Sequence, residues 1–130
     1  MLIKINVELE FNEAWLESIV CSALEGGINY WIDDGFQCSE IRNKKAEKGM
    51  LLVDRIAKGY SELLIRDEED VIKEGTVWSL NRDTFAKGFE RYIKWCVNKG
   101  TMLCTDSSDI DADVADIIVQ LGLFNEIIFG

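Results

Sequence analysis

The chain has 130 residues, of which 24 are Asp or Glu, 14 are Lys or Arg and none is His, for a formal net charge of −10. Without an imidazole, Ser-His-Asp and Cys-His nucleophile systems and the usual zinc sites are excluded. The length suits one domain spanning 1–130, and 48% apolar residues, with six Phe, four Trp and three Tyr, exclude a disordered chain.

Ile3, Ile5, Val7 and Leu9 alternate with Lys4, Asn6 and Glu8, which predicts a half-buried strand and not a signal peptide. Asn12 is placed to cap a helix carrying Trp15, Leu16, Ile19, Val20, Ala23 and Leu24, with Gly26-Gly27 as its stop. Ile28 to Phe36 is aromatic and extended in character, with a turn at Asp34-Gly35, and Ile41 to Lys48 is basic and polar. A short helix with Met50, Leu51, Val53 and Ile56 is expected to end at Gly59. Strands are predicted at Tyr60 to Arg66 and Thr76 to Leu80, forming a hairpin around the acidic Asp67-Glu68-Glu69-Asp70 connection. Asn81 caps a helix whose stripe is Phe85, Phe89, Tyr92, Ile93, Cys96 and Val97, closed by Gly100. A last helix, capped by Asp109, carries Val114, Ile117, Ile118 and Leu121. The plan is α+β, a single compact domain with a small antiparallel sheet and about four helices. Strands and helices do not alternate regularly, which argues against a doubly wound parallel sheet.

No apolar run approaches the ~20 residues of a membrane span. Cys21, Cys38, Cys96 and Cys104 show no C-x-x-C spacing, so reduced and mostly buried thiols in a cytoplasmic protein are expected.

Charge is segregated: residues 1–40 carry a net −7, 41–60 carry +4, 61–83 carry −4, 84–100 carry +3 and 101–130 carry −6. Such blocks permit self-association, so a homodimer is expected. The overall negative field repels nucleic acid and favours the basic groove of a protein that handles nucleic acid. Asp67, Glu68, Glu69 and Asp70, followed by Asp106, Asp109 and Asp113, are the candidate partner-binding acids.

The densest acidic run, Asp106 to Asp113 with Asp116 beyond, fails as a calcium loop in both registers. Starting at Asp109 puts Val114 where Gly is needed and Gln120 where the bidentate Glu belongs; starting at Asp106 puts Ile110 at a ligand position. Acids at a helix N-terminus are explained by the helix dipole. Asp33-Asp34 offers a further carboxylate pair. Neither a metal nor a cofactor is expected, since no Gly-rich run has phosphate-binding spacing. Tyr30 and Trp31 could stack a base, and with Arg42, Lys44 and Lys45 they define an alternative small-ligand site for a phosphorylated nucleotide. A metal-dependent phosphoryl-transfer or hydrolytic enzyme built on the aspartates is a further alternative.

Two segments carry a resemblance. Ser22-Ala23-Leu24-Glu25-Gly26-Gly27-Ile28-Asn29-Tyr30-Trp31, together with Asp109-Ile110-Asp111-Ala112-Asp113-Val114-Ala115-Asp116-Ile117-Ile118-Val119-Gln120 running into Leu123-Phe124-Asn125-Glu126-Ile127-Ile128-Phe129-Gly130, resemble a group of small phage and prophage proteins. The resemblance carries over no catalytic residue. It implies an accessory factor in the host bacterial cytoplasm that blocks host defence by occupying a surface of its machinery, as an anti-CRISPR protein does. The expected function is therefore non-enzymatic inhibition of a host defence complex, with acids standing in for nucleic-acid phosphates.

Overall fold

Asn12 opens the helical part of the chain. Its side-chain oxygen accepts the Trp15 amide at 3.1 Å, and α1 runs Glu13–Ser22. The computed structural model describes residues 1–43, 48–100 and 109–130. Gly26-Gly27 does not end the winding outright. Ala23–Gly27 forms a π-helical turn, and the short helix α2 (Asn29–Ile32) follows. The extended character expected from Ile28 is thus corrected. Trp31 and Ile32 are consecutive and both buried, which a strand would prevent by sending neighbours to opposite faces.

The chain then forms β1 (Phe36–Arg42), α3 (Leu52–Ala57), β2 (Ser61–Asp67), β3 (Val77–Leu80), α4 (Arg82–Lys99) and α5 (Ala112–Phe124). The sheet is antiparallel in the order β1-β2-β3. The fold is therefore α+β as expected, with five α-helices among the described residues. Register explains its two faces. Ser61, Leu63, Ile65 and Asp67 of β2 are buried against the helices, and Arg42, Glu40, Cys38 and Phe36 of β1 pair with them on that face. Gln37, Ser39 and Ile41 pair with Arg66, Leu64 and Glu62 on the opposite face, which no helix among the described residues covers.

The hairpin, the Asn81 cap and the Gly100 stop follow the sequence expectation. Asn81 accepts the Thr84 amide at 2.9 Å, and Gly100 is left-handed at φ 68°. Phe85, Phe89, Tyr92 and Cys96 bury one stripe of α4, which crosses α5 closely. That approach needs Gly88 and Gly122. A β-carbon on Gly88 would overlap the Ile118 carbonyl, and one on Gly122 would overlap that of Thr84.

Two expectations are corrected. Asp111, not Asp109, caps α5, accepting the Val114 amide at 2.9 Å. The chain is still entering the core at Ile110, which is buried and whose carbonyl takes the Ser22 hydroxyl at 3.0 Å, so the helix begins two residues later. Residues 1–12 join no helix or strand, and Ile3, Ile5, Val7 and Leu9 are 77%, 78%, 66% and 60% exposed. Alternation makes a half-buried strand only beside a sheet edge, and residues 3–9 pair with neither β1 nor β3, each of which keeps a free edge among the described residues.

Candidate functional site

Asp67 organises the acidic connection by being inside it. Burial pushes its carboxyl pKa up, but the amides of Ile72 and Lys73 at 2.7 Å and Val71 at 2.9 Å more than offset that and hold it below the usual carboxylate range. With 1% exposure it cannot meet a partner, which corrects its assignment as a surface acid. The carboxylate ends β2 and supplies backbone amides with the acceptor a turn cannot provide. Asp70 repeats the device one step out, left-handed at φ 56° and accepting the Glu74 amide at 2.9 Å.

This folded loop meets the turn that follows α2. The Gly35 carbonyl accepts the amides of Glu68 at 3.0 Å and Glu69 at 3.3 Å. Gly35 itself is left-handed at φ 103°, and a β-carbon there would lie 2.6 Å from a Val71 methyl. Asp33 and Asp34 are thereby brought beside Glu68 and Glu69, and all four are exposed together with Asp70 and Glu74. Two acidic stretches more than thirty positions apart in sequence form one corner of the sheet. Of the remaining predicted acids, Asp109 and Asp113 are exposed near the start of α5, and Asp113 is close enough to the Tyr30 phenol to raise its pKa. Asp106 lies outside the described residues.

The predicted small-ligand group is not assembled. Trp31 is 2% exposed, and its ring stacks on Phe129 at 4.9 Å with an interplanar angle of 7°. The indole N–H donates to Asp116 at 2.8 Å, so no ring face is left for a base. Tyr30 is 52% exposed, but its hydroxyl donates to the same carboxylate at 2.6 Å. Burial, followed by that bond, pushes its pKa up to about 12. Arg42 lies at the far end of β1, six residues or ~20 Å from Phe36 at strand spacing, and faces Glu40 at 3.6 Å. Lys44 and Lys45 lie outside the described residues.

Residues missed in the sequence complete this network. Gln120 is fully buried, donates to Asp116 at 2.9 Å and accepts the amides of Ile128 and Phe129, both at 2.8 Å. Asp116 and Gln120 stand four apart among the apolar residues of α5, a spacing that signals a shared buried face. The two segments that carry the resemblance are thus folded onto each other. The Asp116–Gln120 pair holds Tyr30, Trp31 and residues 128–129, and Gly27 lets the start of α5 approach closely.

Among the described residues no group of three His, Cys, Asp or Glu side chains converges as a metal would require. Cys21, Cys38 and Cys96 are free thiols, and Cys38 is exposed, which departs from the expected burial; Cys104 lies outside the described residues. A hollow between α1 and α3 is lined by Glu17, Cys21, Glu25 and Asp54. A hydrogen bond with Glu25, followed by burial, pushes the Cys21 thiol pKa up, which disfavours the reactive thiolate. No helix among the described residues is long and apolar enough to cross a membrane. No family model matches the chain, and no curated protein or solved structure matches it either.

Proposed function

We propose that this protein acts by binding, with the carboxylate corner of Asp33, Asp34, Glu68, Glu69, Asp70 and Glu74 docking on a basic protein surface. The observation that carries this reading is the clamp between Gly35 and the Glu68 and Glu69 amides, made on a loop that buried Asp67 holds in shape. Carboxylates on a fixed backbone lose little conformational freedom when a partner arrives, which separates a docking surface from a merely solubilising one. Fixed negative charges at close spacing are also what an Arg- and Lys-lined nucleic-acid channel accepts in place of phosphates. The resemblance to phage accessory proteins supplies the biological setting: non-enzymatic inhibition of a host defence complex, in the manner of an anti-CRISPR protein.

The test has two stages. Affinity capture from phage-infected cells identifies the partner, and titration of the purified pair then measures salt dependence. The binding should weaken steeply as ionic strength rises and the screening length falls to about 8–10 Å. The combined Asp33→Asn, Asp34→Asn, Glu68→Gln, Glu69→Gln variant should lose most of the affinity while keeping its fold. Salt-insensitive binding, or undiminished affinity in that variant, refutes the reading.

A further inference from the structure

Among the described residues Ile3, Ile5, Val7 and Leu9 form a row of exposed apolar side chains, with the pattern of a strand without a sheet beside it. We propose that this segment pairs antiparallel with the free edge of β1 in a second copy of the chain, so that two copies exchange strands reciprocally and form a dimer. The proposal concerns a surface separate from the acidic corner and stands or falls independently of it.

Two observations lead there. The alternating run Ile3–Leu9 spans seven positions, and β1 also has seven residues, whereas the other free edge, β3, has four. The helix-side face of the sheet is also uncovered at the middle of β1, between Phe36 and Glu40. Cys38 is exposed although its β2 partner Ile65 is fully buried on the same face. An added strand with Leu9 beside Phe36 and Val7 beside Cys38 continues the apolar layer there.

Charge fixes the direction. In that antiparallel register Lys4 stands opposite Ile41, whose β2 partner is Glu62, and Glu8 stands opposite Gln37, whose partner is Arg66. Both ends of the added strand then face opposite charge, with Asn6 opposite Ser39 between them. The parallel register with the same apolar face reverses this, setting Lys4 towards Arg66 and Glu8 towards Glu62. Each charge then lies two strand spacings, about 10 Å, from its like, close enough for repulsion to disfavour that register.

The anchor of the segment decides whose edge is used. Phe11 packs on Phe89 at 5.0 Å, and Glu13 pairs with Lys58 at 3.5 Å. Lys58 is two residues before Tyr60, whose carbonyl accepts the Asn43 amide at 2.7 Å, so the segment leaves the body at the Arg42 end of β1. Pairing with its own β1 from that end would put it in the parallel, charge-mismatched sense. A second copy presents the edge in the antiparallel sense, and a two-fold axis lets each copy give and receive one strand.

Sedimentation of the full chain at micromolar concentration tests the assembly, and a cysteine pair tests the register. The wild type should sediment at twice 14.8 kDa, and deletion of residues 2–9 should halve that mass. Val7→Cys should form an interchain disulfide with native Cys38 under mild oxidation, because directly opposed positions meet the spacing of such a bond. Adding Cys38→Ser should abolish it. Should the cysteine variant misfold, hydrogen exchange on the wild type reads the same contact: the amides of residues 4–8 should gain protection as concentration rises. A single-chain mass, a dimer that survives the deletion, a Cys38 bond within one chain, or concentration-independent exchange of those amides each overturns the proposal.

Discussion

Tyr30 and Asp116 are 86 positions apart and meet at 2.6 Å, the phenol donating to a carboxylate that also takes the Trp31 indole N–H. The contact ties the end of the first helical arm to α5 and closes over residues 128–129 through Gln120. Trp31→Ala should cost about 3–5 kcal/mol, as for other large buried aromatics. Trp31→Phe, which keeps most of the volume but leaves the carboxylate short of a donor, should cost about 1–3 kcal/mol. Tyr30→Phe removes a half-exposed bond and should cost about 0.5–1.5 kcal/mol. Chemical denaturation of the three variants checks the order. The pH dependence follows the same geometry. The phenol's pKa is raised from 10.0 to about 12, so its contribution is complete below pH 10 and is lost as pH rises through about 12. Ultraviolet titration of tyrosinate should show Tyr30 titrating late, and Asp116→Asn should move it earlier.

At the acid end the controlling group is Glu40. Arg55 grips both of its oxygens, at 2.7 and 2.8 Å, Ser61 donates at 2.6 Å, and a further Arg55 nitrogen donates to the Met50 carbonyl. The Arg55 hydrogen bonds, followed by that of Ser61, pull the Glu40 pKa from 4.5 down to about 2. A lowered carboxyl stabilises the fold above its unfolded value, so this contribution is whole above pH 4.5 and is lost as pH falls towards 2. Glu40→Gln should lower the melting temperature at neutral pH and flatten its decline across that acid window. A melting series from pH 7 to pH 2 reads both effects.

The crossing of α4 and α5 makes a sharper steric prediction. Gly88→Ala places a methyl group against the Ile118 carbonyl, which is backbone and cannot rotate aside. Overpacking of this kind costs about 1–3 kcal/mol, and the better helix propensity of alanine returns only about 1. The variant should therefore be less stable than wild type. Gly26→Ala, where nothing lies within 4 Å of the new carbon, should not show this loss. Calorimetric melting of the two variants gives the comparison.

How far the sequence discloses this molecule depends on whether a residue's role is local. Asn12 and Asn81 cap the helices they precede because the cap is made within three residues, and the β2–β3 hairpin follows from two strand runs around one turn-rich loop. The α2 segment was obscured because its burial is set by Phe36, Phe124 and Phe129, none of which is local to it. Residues 3–9 read as a strand because alternation records what the side chains need, not whether a partner strand lies in the same chain. The acidic corner was half legible. Glu68, Glu69 and Asp70 announce themselves by density, but the join to Asp33 and Asp34 is made by the Gly35 backbone, which has no sequence signature.

Within one run of four acids the structure separates two roles, and mutation should separate them too. Asp67 faces inward and holds three amides, so Asp67→Asn should lower the melting temperature and unpin the loop, at any salt concentration. Its depressed pKa adds a pH signature: the stabilisation is present above the ordinary aspartate value of 3.8 and lost below it as the carboxyl protonates. Glu68 and Glu69 contribute only backbone amides to the fold, so Glu68→Gln and Glu69→Gln should change stability by no more than about 0.5 kcal/mol. If the corner docks on a basic surface, those two variants should weaken binding most at low salt and least at high salt, where the charges they remove are already screened. Asp67→Asn should weaken binding in both conditions, because it acts by loosening the backbone that carries its neighbours. A salt series on the three variants, read beside their melting temperatures, distinguishes a carboxylate that meets the partner from one that shapes the loop.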